Sequence, residues 1–283
     1  VRWNPGRGYL DLSLNRWKYE RKAELLRRGA TASRNEFGKP GVWLQVGGHG
    51  MSRLPAPARR MALAVAVIAM LVAPSLLTLW VSTPSGGDIQ ERVLAATSAH
   101  GIVLLGEGDV PPLLAQAVVA TEDERFYQHH GMDTIGLGRA FLYDATHSCL
   151  CQGGSTITEQ LVKDVYLGGS NEGYNKIVDI VIALKVEQVI GKNRIMADYL
   201  SEITTGLNRY GVSAAACDYF HQPLGNLTIG QYALLAGVTQ APSLYDPTID
   251  HDLAKARRSS AIGAMVTDKV ITPEQAATGN AET

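Results

Sequence analysis

The densest group of chemically active side chains lies in residues 121–131, Thr-Glu-Asp-Glu-Arg-Phe-Tyr-Gln-His-His-Gly. This stretch holds three carboxylates, one arginine, two histidines and two aromatic rings. It follows an apolar run, residues 113–120, whose spacing is typical of a buried helix. A buried helix that ends in polar residues can deliver a carboxylate to a cleft, so we expect this stretch to line a site for acid–base chemistry.

A second stretch, residues 153–164, reads Gly-Gly-Ser-Thr-Ile-Thr-Glu-Gln-Leu-Val-Lys-Asp. Thr156 and Glu159 have the spacing of a capping box, in which each side chain binds the other residue's backbone N–H at a helix start. The helix start after Gly-Gly-Ser-Thr also offers backbone N–H donors to a phosphate oxygen. These two stretches carry the functional interpretation.

Helical signals dominate the sequence around both stretches. Apolar residues recur at helical spacing from Tyr174 toward a stop at Gly191, and residues 195–203 and 227–238 predict further helices. The only fair strand candidate is Gly101–Leu105. The sequence therefore predicts a mainly α domain.

Charge is distributed unevenly along the chain. Residues 1–60 contain 13 Lys and Arg against 4 Asp and Glu, whereas residues 61–283 contain 13 against 23. Such an acidic main domain argues against nucleic acid as a partner, because Lys and Arg dominate binding to a phosphate backbone. Three cysteines do not make a disulfide framework, and no His and Cys cluster at zinc spacing surrounds Cys149 and Cys151. We interpret them as ordinary thiols rather than metal ligands.

Residues 61–81 form a run of 21 residues without charge. At ~1.5 Å per residue such a helix spans roughly 30 Å, the thickness of the hydrocarbon core of a bilayer. A membrane helix tolerates Pro74, and the run is longer than the apolar part of a cleaved signal peptide. We therefore predict an uncleaved transmembrane signal anchor over residues 61–82, with a buried core helix as the alternative.

The charges that flank this run predict its orientation. Three arginines shortly precede it, and Asp88 and Glu91 follow it. The positive side of a membrane helix faces the cytoplasm, so residues 1–60 are expected there and the main domain outside. Residues 83–92 contain a Pro, Ser and Gly cluster and are predicted to be a linker to a domain at 93–283.

Residues 1–50 are interpreted separately. The chain begins with Val1, whereas Met51 opens a short basic leader typical of a membrane anchor. We hypothesise that Met51 is the true start and that residues 1–50 are an over-extended reading frame. The intact mass of the native protein tests this hypothesis, and a mass that includes residues 1–50 refutes it.

The two polar stretches resemble the first two motifs of the family 51 glycosyltransferases. The matching patterns are Glu-Asp-x-x-Phe-x-x-His-x-Gly at residues 122–131 and Gly-Gly-Ser-Thr-Ile-Thr-x-Gln-Leu-x-Lys at residues 153–163. The family comprises the peptidoglycan glycosyltransferase domains of class A penicillin-binding proteins and their monofunctional relatives. The resemblance extends over residues 93–275 and includes Gln-Ala-Pro-Ser at 240–243. Because the sequence leaves no room for a transpeptidase domain after it, we expect the monofunctional, membrane-anchored type.

This resemblance implies a lysozyme-like, two-lobed helical fold at the outer face of the bacterial cytoplasmic membrane. The substrates would be lipid II and the growing glycan strand. Glu122 would be the general base that takes the proton from the 4-hydroxyl of the acceptor N-acetylglucosamine. That oxygen would attack the anomeric carbon of the donor N-acetylmuramic acid with inversion, and undecaprenyl pyrophosphate would leave. Asp179 would be a second catalytic carboxylate.

Elementary chemistry agrees with this implied mechanism. A sugar hydroxyl is a poor nucleophile and needs a positioned base. A pyrophosphate is already a good leaving group, so the site needs positive charge more than a strong acid. No cofactor is implied as obligatory, and a divalent metal, Mg²⁺ or Mn²⁺, beside the pyrophosphate stays open. Cell-wall synthesis proteins are candidate partners, and an apolar surface near residues 141–143 is expected to enter the membrane.

Substrate-binding residues follow from the same resemblance. They are Arg139, Ser155, Thr156, Gln160, Lys163 and Lys176. A basic residue taken alone is as readily a solvated surface charge, and Lys176 is spaced to pair with Asp179 on one helix face. Asp123, Phe126 and His129 are expected to hold the shape of the first motif rather than to touch substrate.

Several positions depart from the family's usual pattern. Glu159 and Asp164 stand where Gln and Asn are usual, and the third motif, usually Arg-Lys-x-x-Glu, reads Asn-Lys-Ile-Val-Asp at 175–179. Residues 171–172 are Asn-Glu where relatives often carry an arginine. Each lost arginine removes a cation from a site that must hold a pyrophosphate. The shorter carboxylate of Asp179 matters as well, because a shift of ~1 Å in a catalytic group can cost ~100-fold in rate.

Three functions are therefore weighed. The leading one is an active, slow peptidoglycan glycosyltransferase. The second is a catalytically weakened homologue that binds lipid II or a cell-wall partner as a scaffold, which the third-motif changes favour. The third is a lysozyme-like hydrolase, since a fold does not fix a function. Hydrolysis needs a protonated acid at the leaving sugar oxygen, and the cationic second motif suits a pyrophosphate better.

Overall fold

The computed structural model describes residues 55–147, 154–170 and 173–282, and within these ranges the chain is mainly α, as predicted. Two short strands and two 3₁₀ turns complete the described structure. The helices are α1 (Ala56–Ser82), α2 (Ile89–Ala99), α3 (Pro112–Glu122), α4 (Thr134–His147), α5 (Ile157–Leu167), α6 (Tyr174–Val189), α7 (Lys192–Glu202), α8 (Val212–Phe220), α9 (Ile229–Val238), α10 (Pro242–Tyr245), α11 (His251–Thr267) and α12 (Pro273–Ala281).

Some predictions lie outside the described residues. These are the start at Met51, the thiols of Cys149 and Cys151, Gly153 of the second motif, and the Asn-Glu pair at 171–172.

Helix α1 contains the predicted membrane run and extends it at its N-terminal end. Its 27 residues are long and apolar enough to cross a membrane, and none of them is buried. The alternative of a buried core helix is therefore wrong. The boundary between two units of the chain lies within this helix, between Ala66 and Val67.

The segment predicted as a linker, residues 83–92, differs in the structure. Helix α2 already begins at Ile89, whose side chain is fully buried in the core. Gly86 has a φ of +81°, and a Cβ there would lie 3.0 Å from the backbone of α6. The Lys185 ammonium donates to backbone oxygens of residues 80–84 at 2.6–3.1 Å. The segment is thus packed against the domain, and the domain begins before residue 93.

The helices of the larger unit pack into two lobes, as the resemblance implied. Helices α3, α9, α11 and α12 pack on one another and are here called the α9 lobe. Helices α2, α5, α6 and α7 form the second group, the α5 lobe. Helical spacing buries Leu114 and Val118 of α3 and Leu161 of α5 in one continuous apolar core. The two polar stretches meet where α3 ends and α5 begins.

The predicted strand at Gly101–Leu105 is wrong. This segment pairs with no strand in the described structure, and side chains of α7 bind the backbone at its end. The Leu105 N–H donates to Ser201 Oγ at 2.9 Å, and Arg194 donates to the Leu105 carbonyl oxygen at 3.1 Å. The two described strands instead form a small antiparallel hairpin, β1 (Thr204–Gly206) with β2 (Arg209–Tyr210).

Candidate active site

Glu122 is the last residue of α3 and lies between the two lobes. Its Oε2 accepts a hydrogen bond from Gln160 Nε2 of α5 at 3.1 Å. Its Oε1 lies 3.5 Å from Nη2 of Arg257, which projects from α11. Only 8% of the Glu122 side chain is exposed, so both carboxylate oxygens depend on these protein partners.

Burial raises the pKa of Glu122 above its ordinary value. The hydrogen bond from Gln160 and the charges of Arg257 and Lys163 oppose this shift, whereas the nearby charge of Asp123 adds to it. A carboxyl whose pKa is raised toward neutrality, yet held beside a cation, suits proton abstraction from a hydroxyl. The environment therefore fits the predicted role of a general base.

Asp123 joins the first motif to the second. His129 Nε2 lies 3.0 Å from both carboxylate oxygens of Asp123. Asp123 Oδ2 also accepts the Ile157 N–H at 3.1 Å, which places a carboxylate at the N-terminus of α5. Phe126 is fully buried. These residues hold the motif's shape, in agreement with the expectation from the sequence.

Thr156 completes the junction between the motifs. Its hydroxyl donates to the Gly131 carbonyl oxygen at 2.7 Å and accepts the Glu159 N–H at 3.1 Å, capping α5. Gly131 has a φ of +87°, and a Cβ there would lie 2.7 Å from the backbone of Leu184. Only glycine fits this position. Because the Thr156 hydroxyl already serves the fold, its role in binding substrate stays a prediction.

Lys176 occupies the start of α6 and binds three side chains. Its Nζ lies 2.6 Å from Glu159 Oε2, 2.9 Å from Ser155 Oγ and 3.4 Å from Asp179 Oδ2. The predicted pairing with Asp179 is present, but Glu159 is the nearer partner. The Glu159 carboxylate thus binds across to α6, which the capping-box interpretation did not anticipate.

The other predicted cations are also paired. Arg139 of α4 lies 2.8 Å from Glu124 Oε2, with both side chains about half exposed. Lys163 of α5 lies 3.7 Å from Asp164 Oδ1. Each of the four cations near Glu122 in the described structure therefore has a carboxylate partner within the chain, and an anionic ligand must compete with it.

A cleft brings most of the predicted residues together. Its lining includes Glu122, Arg139, Ser155 and Thr156. Gln160 reaches this cleft through Glu122, and Lys176 reaches it through Ser155. The exposed side chains of Ile135, Leu137, Leu142 and Tyr143 lie on the same helix as Arg139, which agrees with an apolar surface near residues 141–143.

No metal site accompanies this cleft in the part of the chain that the structure describes. Groups of three or more His, Cys, Asp or Glu side chains that could hold a metal ion are absent from it. The acidic residues beside the cleft are bound to cations of the protein instead, as in the Arg139–Glu124 pair. A divalent metal held beside the pyrophosphate stays a prediction.

Sequence reasoning missed three residues of the site. Arg257 lies 135 positions from Glu122, so no local pattern could have linked them. Tyr199 is buried, and its hydroxyl donates to Gln160 Oε1 at 3.1 Å. Burial and the charge of Asp164 raise the pKa of Glu202 to about 7. Nothing in their local sequence distinguishes them from the other polar residues of α7 and α11.

Comparison with known proteins decides the family. The family model described as "Transglycosylase" matches residues 90–266, more than half of the chain. The chain belongs to the transglycosylase family. The match contains all eight predicted site residues and Arg257, so this transglycosylase site lies entirely inside the family region. The coarse function is accordingly the transfer of a glycosyl group.

Curated relatives of this transglycosylase are longer proteins. Penicillin-binding protein 1A of Neisseria gonorrhoeae is 35% identical over 219 residues, which are 72% of this chain and 27% of that protein. Penicillin-binding protein 1A of Escherichia coli (strain K12) is 38% identical over 166 residues, 59% of this chain and 20% of that protein. The chain thus spans about a quarter or less of these relatives.

The chain is also similar to one crystal structure, that of penicillin-binding protein 1A from Haemophilus influenzae. The match covers 64% of this chain and 18% of the chain in that structure. Its sequence identity is 21% and its TM-score 0.37, a value too low to establish a common fold.

Proposed function

We propose that this transglycosylase polymerises lipid II into glycan strands with inversion and releases undecaprenyl pyrophosphate. The observation that carries the proposal is Glu122, a buried carboxylate with a raised pKa that Gln160 and Arg257 hold at the wall of a cleft. In this mechanism the protein is a hexosyltransferase. Helix α1 anchors it with the N-terminus in the cytoplasm and the site on the outer face of the membrane.

The proposed reaction is a single displacement. Glu122 takes the proton from the 4-hydroxyl of the acceptor N-acetylglucosamine. A bond forms from that oxygen to the anomeric carbon of the donor N-acetylmuramic acid, and the bond from this carbon to the pyrophosphate oxygen breaks. The electron pair leaves with undecaprenyl pyrophosphate. Lys163, Lys176 and Arg139 stabilise the departing charge, and Ser155 and Gln160 orient the groups.

Glu122→Gln is the direct test. The amide keeps the size of the side chain and its hydrogen bond to Gln160 but cannot take a proton. We expect polymerisation to fall by about 10²- to 10⁴-fold, the contribution of a positioned general base. The full chain in detergent is incubated with labelled lipid II, and the products are separated by length. The anomeric configuration of the new bond is read by NMR.

Glu187→Gln is the matched control. Glu187 is also a buried glutamate paired with a cation, Lys192, at 2.7 Å. It makes the same change of charge away from the cleft, so we expect it to retain activity. Undiminished polymerisation by the Glu122 variant contradicts the assignment of the base.

A scaffold function is the second candidate. It is favoured by one observation, that Glu159 and Asp179 already engage Lys176 of the altered third motif. In that case the parent chain binds lipid II without turnover, and cell-wall synthesis proteins become its partners. Binding of labelled lipid II with no polymer from the parent separates this candidate from the enzyme.

A further inference from the structure

The Lys176 cluster, made of Lys176, Ser155, Glu159 and Asp179, has an imbalance of charge. Two carboxylates face one ammonium, and each carboxylate side chain is only 2% exposed. Like charges disfavour each other's ionisation in a buried site. One cation cannot fully neutralise both groups, so its position decides which carboxylate is stabilised.

The distances show which carboxylate Lys176 serves. Its Nζ is 2.6 Å from Glu159, the short contact of a charge-assisted hydrogen bond, and 3.4 Å from Asp179, where such a bond is weak. The second oxygen of Asp179, Oδ1, is buried and has no hydrogen-bond partner among the residues that the structure describes. A buried acceptor without a donor is costly, and the cost here falls on Asp179.

Ser155 fixes the direction in which Lys176 is held. Its Oγ accepts from Lys176 Nζ at 2.9 Å, and Ser155 lines the same cleft as Glu122. Glu159 lies in the first turn of α5, and the residue after it, Gln160, binds Glu122. The ammonium is thus drawn toward the cleft wall and away from Asp179.

We propose that Glu159 is a positioning residue that holds Lys176 at Ser155 and withholds it from Asp179. The functional consequence rests on the proposed function: Glu159 sets how much of the Lys176 charge is available to the pyrophosphate and whether Asp179 is ionised. Without the Glu159 charge, Lys176 moves to Asp179 and supplies the hydrogen bond that Asp179 lacks. The site then carries one negative charge fewer and repels an anionic ligand less.

Other charged groups also lie near these carboxylates. Burial raises the pKa of Asp179, and the charges of Lys176 and Lys163 oppose this shift. Burial likewise raises the pKa of Glu159, and the charge of Asp179 adds to the shift while Lys176 opposes it. Other charged side chains on the helices that pack against α5 form salt bridges with one another. These salt bridges are Asp88–Arg92 on α2, Glu187–Lys192 between α6 and α7, and Arg194–Asp198 on α7.

Glu159→Gln tests the inference without reliance on turnover. The carboxyl of Asp179 is titrated by ¹³C NMR in the full chain in detergent, and Asp179→Asn identifies its signal. We expect the pKa of Asp179 to fall by about one unit or more, because a like charge disappears and a cation moves closer. Glu187→Gln, with the same loss of a buried charge, is expected to leave it unchanged. An unmoved pKa of Asp179 in Glu159→Gln overturns the inference.

The lipid II assay tests the functional consequence. Glu159→Gln is expected to lower KM for lipid II several-fold with little change in kcat, and to move the acid limb of kcat/KM to lower pH. Glu159→Asp keeps the charge and is expected to restore most of the parent behaviour. A parent that does not polymerise refutes the proposed function, whereas the NMR titration still decides the inference. A parent that polymerises with KM and acid limb unmoved in Glu159→Gln refutes the consequence.

Discussion

Two clusters lie side by side at the start of α5 and differ in the partners that their carboxylate oxygens have. In the Glu122 cluster, made of Glu122, Gln160 and Arg257, one carboxylate has an amide donor and one cation, and each oxygen has a partner. In the Lys176 cluster two carboxylates share one cation, and Asp179 Oδ1 has no hydrogen-bond partner within the described ranges. Adjacent residues of one helical turn, Glu159 and Gln160, supply one contact to each.

The two clusters differ in how completely their carboxylates are paired. We call the Glu122 cluster settled, because each carboxylate oxygen has a partner, and the Lys176 cluster unsettled, because its two carboxylates share one cation. A carboxylate with a contact to each of its oxygens, here Gln160 at 3.1 Å and the more distant Arg257 at 3.5 Å, is held in position before substrate arrives, as a general base requires. A carboxylate that shares its cation can change state when the cation moves. Glu122 and Gln160 of the first cluster match the family's usual pattern, whereas Glu159 and Asp179 of the second cluster depart from it.

Arg257→Met breaks the settled cluster and has the largest expected effect. The charge of Arg257 lowers the pKa of Glu122, so its loss raises that pKa by about one to three units. A larger fraction of the base is then protonated at any given pH, and activity falls about 10- to 1,000-fold. Because the base ionises again in alkali, the loss shrinks as pH rises. The pH profile of kcat/KM measures this.

Lys255→Met is the matched control for Arg257. It removes a cation from the same helix, and Lys255 lines a different cavity from Glu122. We expect its acid limb to coincide with that of the parent. An Arg257 variant that loses activity equally at every pH contradicts the electrostatic role and leaves Arg257 a packing residue.

Asn175→Arg combined with Asp179→Glu repairs the unsettled cluster and has the next largest effect. It returns a cation to the third motif and lengthens the second carboxylate by one methylene. We expect kcat/KM to rise about tenfold or more, since a charge at the leaving group is worth up to ~10³-fold in well-placed sites. Asn175→Gln with Asp179→Glu is the control that adds length without charge. Equal rates for the two variants contradict the need for the cation.

The sequence predicted the local parts of this picture well. The apolar spacing of α3 and the cap at Thr156 both depend on residues within a few positions of each other, and both are present. The polar contacts of Asp123 and His129 also lie within one short stretch. Motif resemblance then supplied the roles of Glu122 and Asp179, which composition alone could not.

The remaining features depend on contacts between distant parts of the chain. Arg257 reaches Glu122 only because α11 packs on α3. No local sequence pattern predicts that contact between the two helices. The sequence predicted that the Glu159 side chain caps the start of α5, whereas its carboxylate binds Lys176 of α6. The segment at 83–92 has the composition of a linker but is fastened by Lys185, a residue a hundred positions away. Local rules cannot reveal such pairings.

Glu202→Gln tests the same contrast through stability and has the smallest expected effect. Burial and Asp164 raise the pKa of Glu202 from 4.5 to about 7, against the opposing charge of Lys163. A raised pKa means that the folded state holds the proton more tightly than the unfolded state. Its contribution to stability is therefore complete below pH ~4.5 and is lost as pH rises through about 7.

The parent is thus expected to lose about 2 kcal/mol more than Glu202→Gln between pH 4.5 and pH 8. For a domain of this size that corresponds to about 4–8 °C in Tm. Thermal unfolding of both proteins at the two pH values measures the difference, with the exposed Glu107→Gln as the control. Parallel Tm curves for the parent and the Glu202 variant mean that the charge of Lys163 fully offsets the effect of burial on Glu202. In that case sharing a cation, as Asp164 and Glu202 share Lys163, does not by itself unsettle a buried carboxylate.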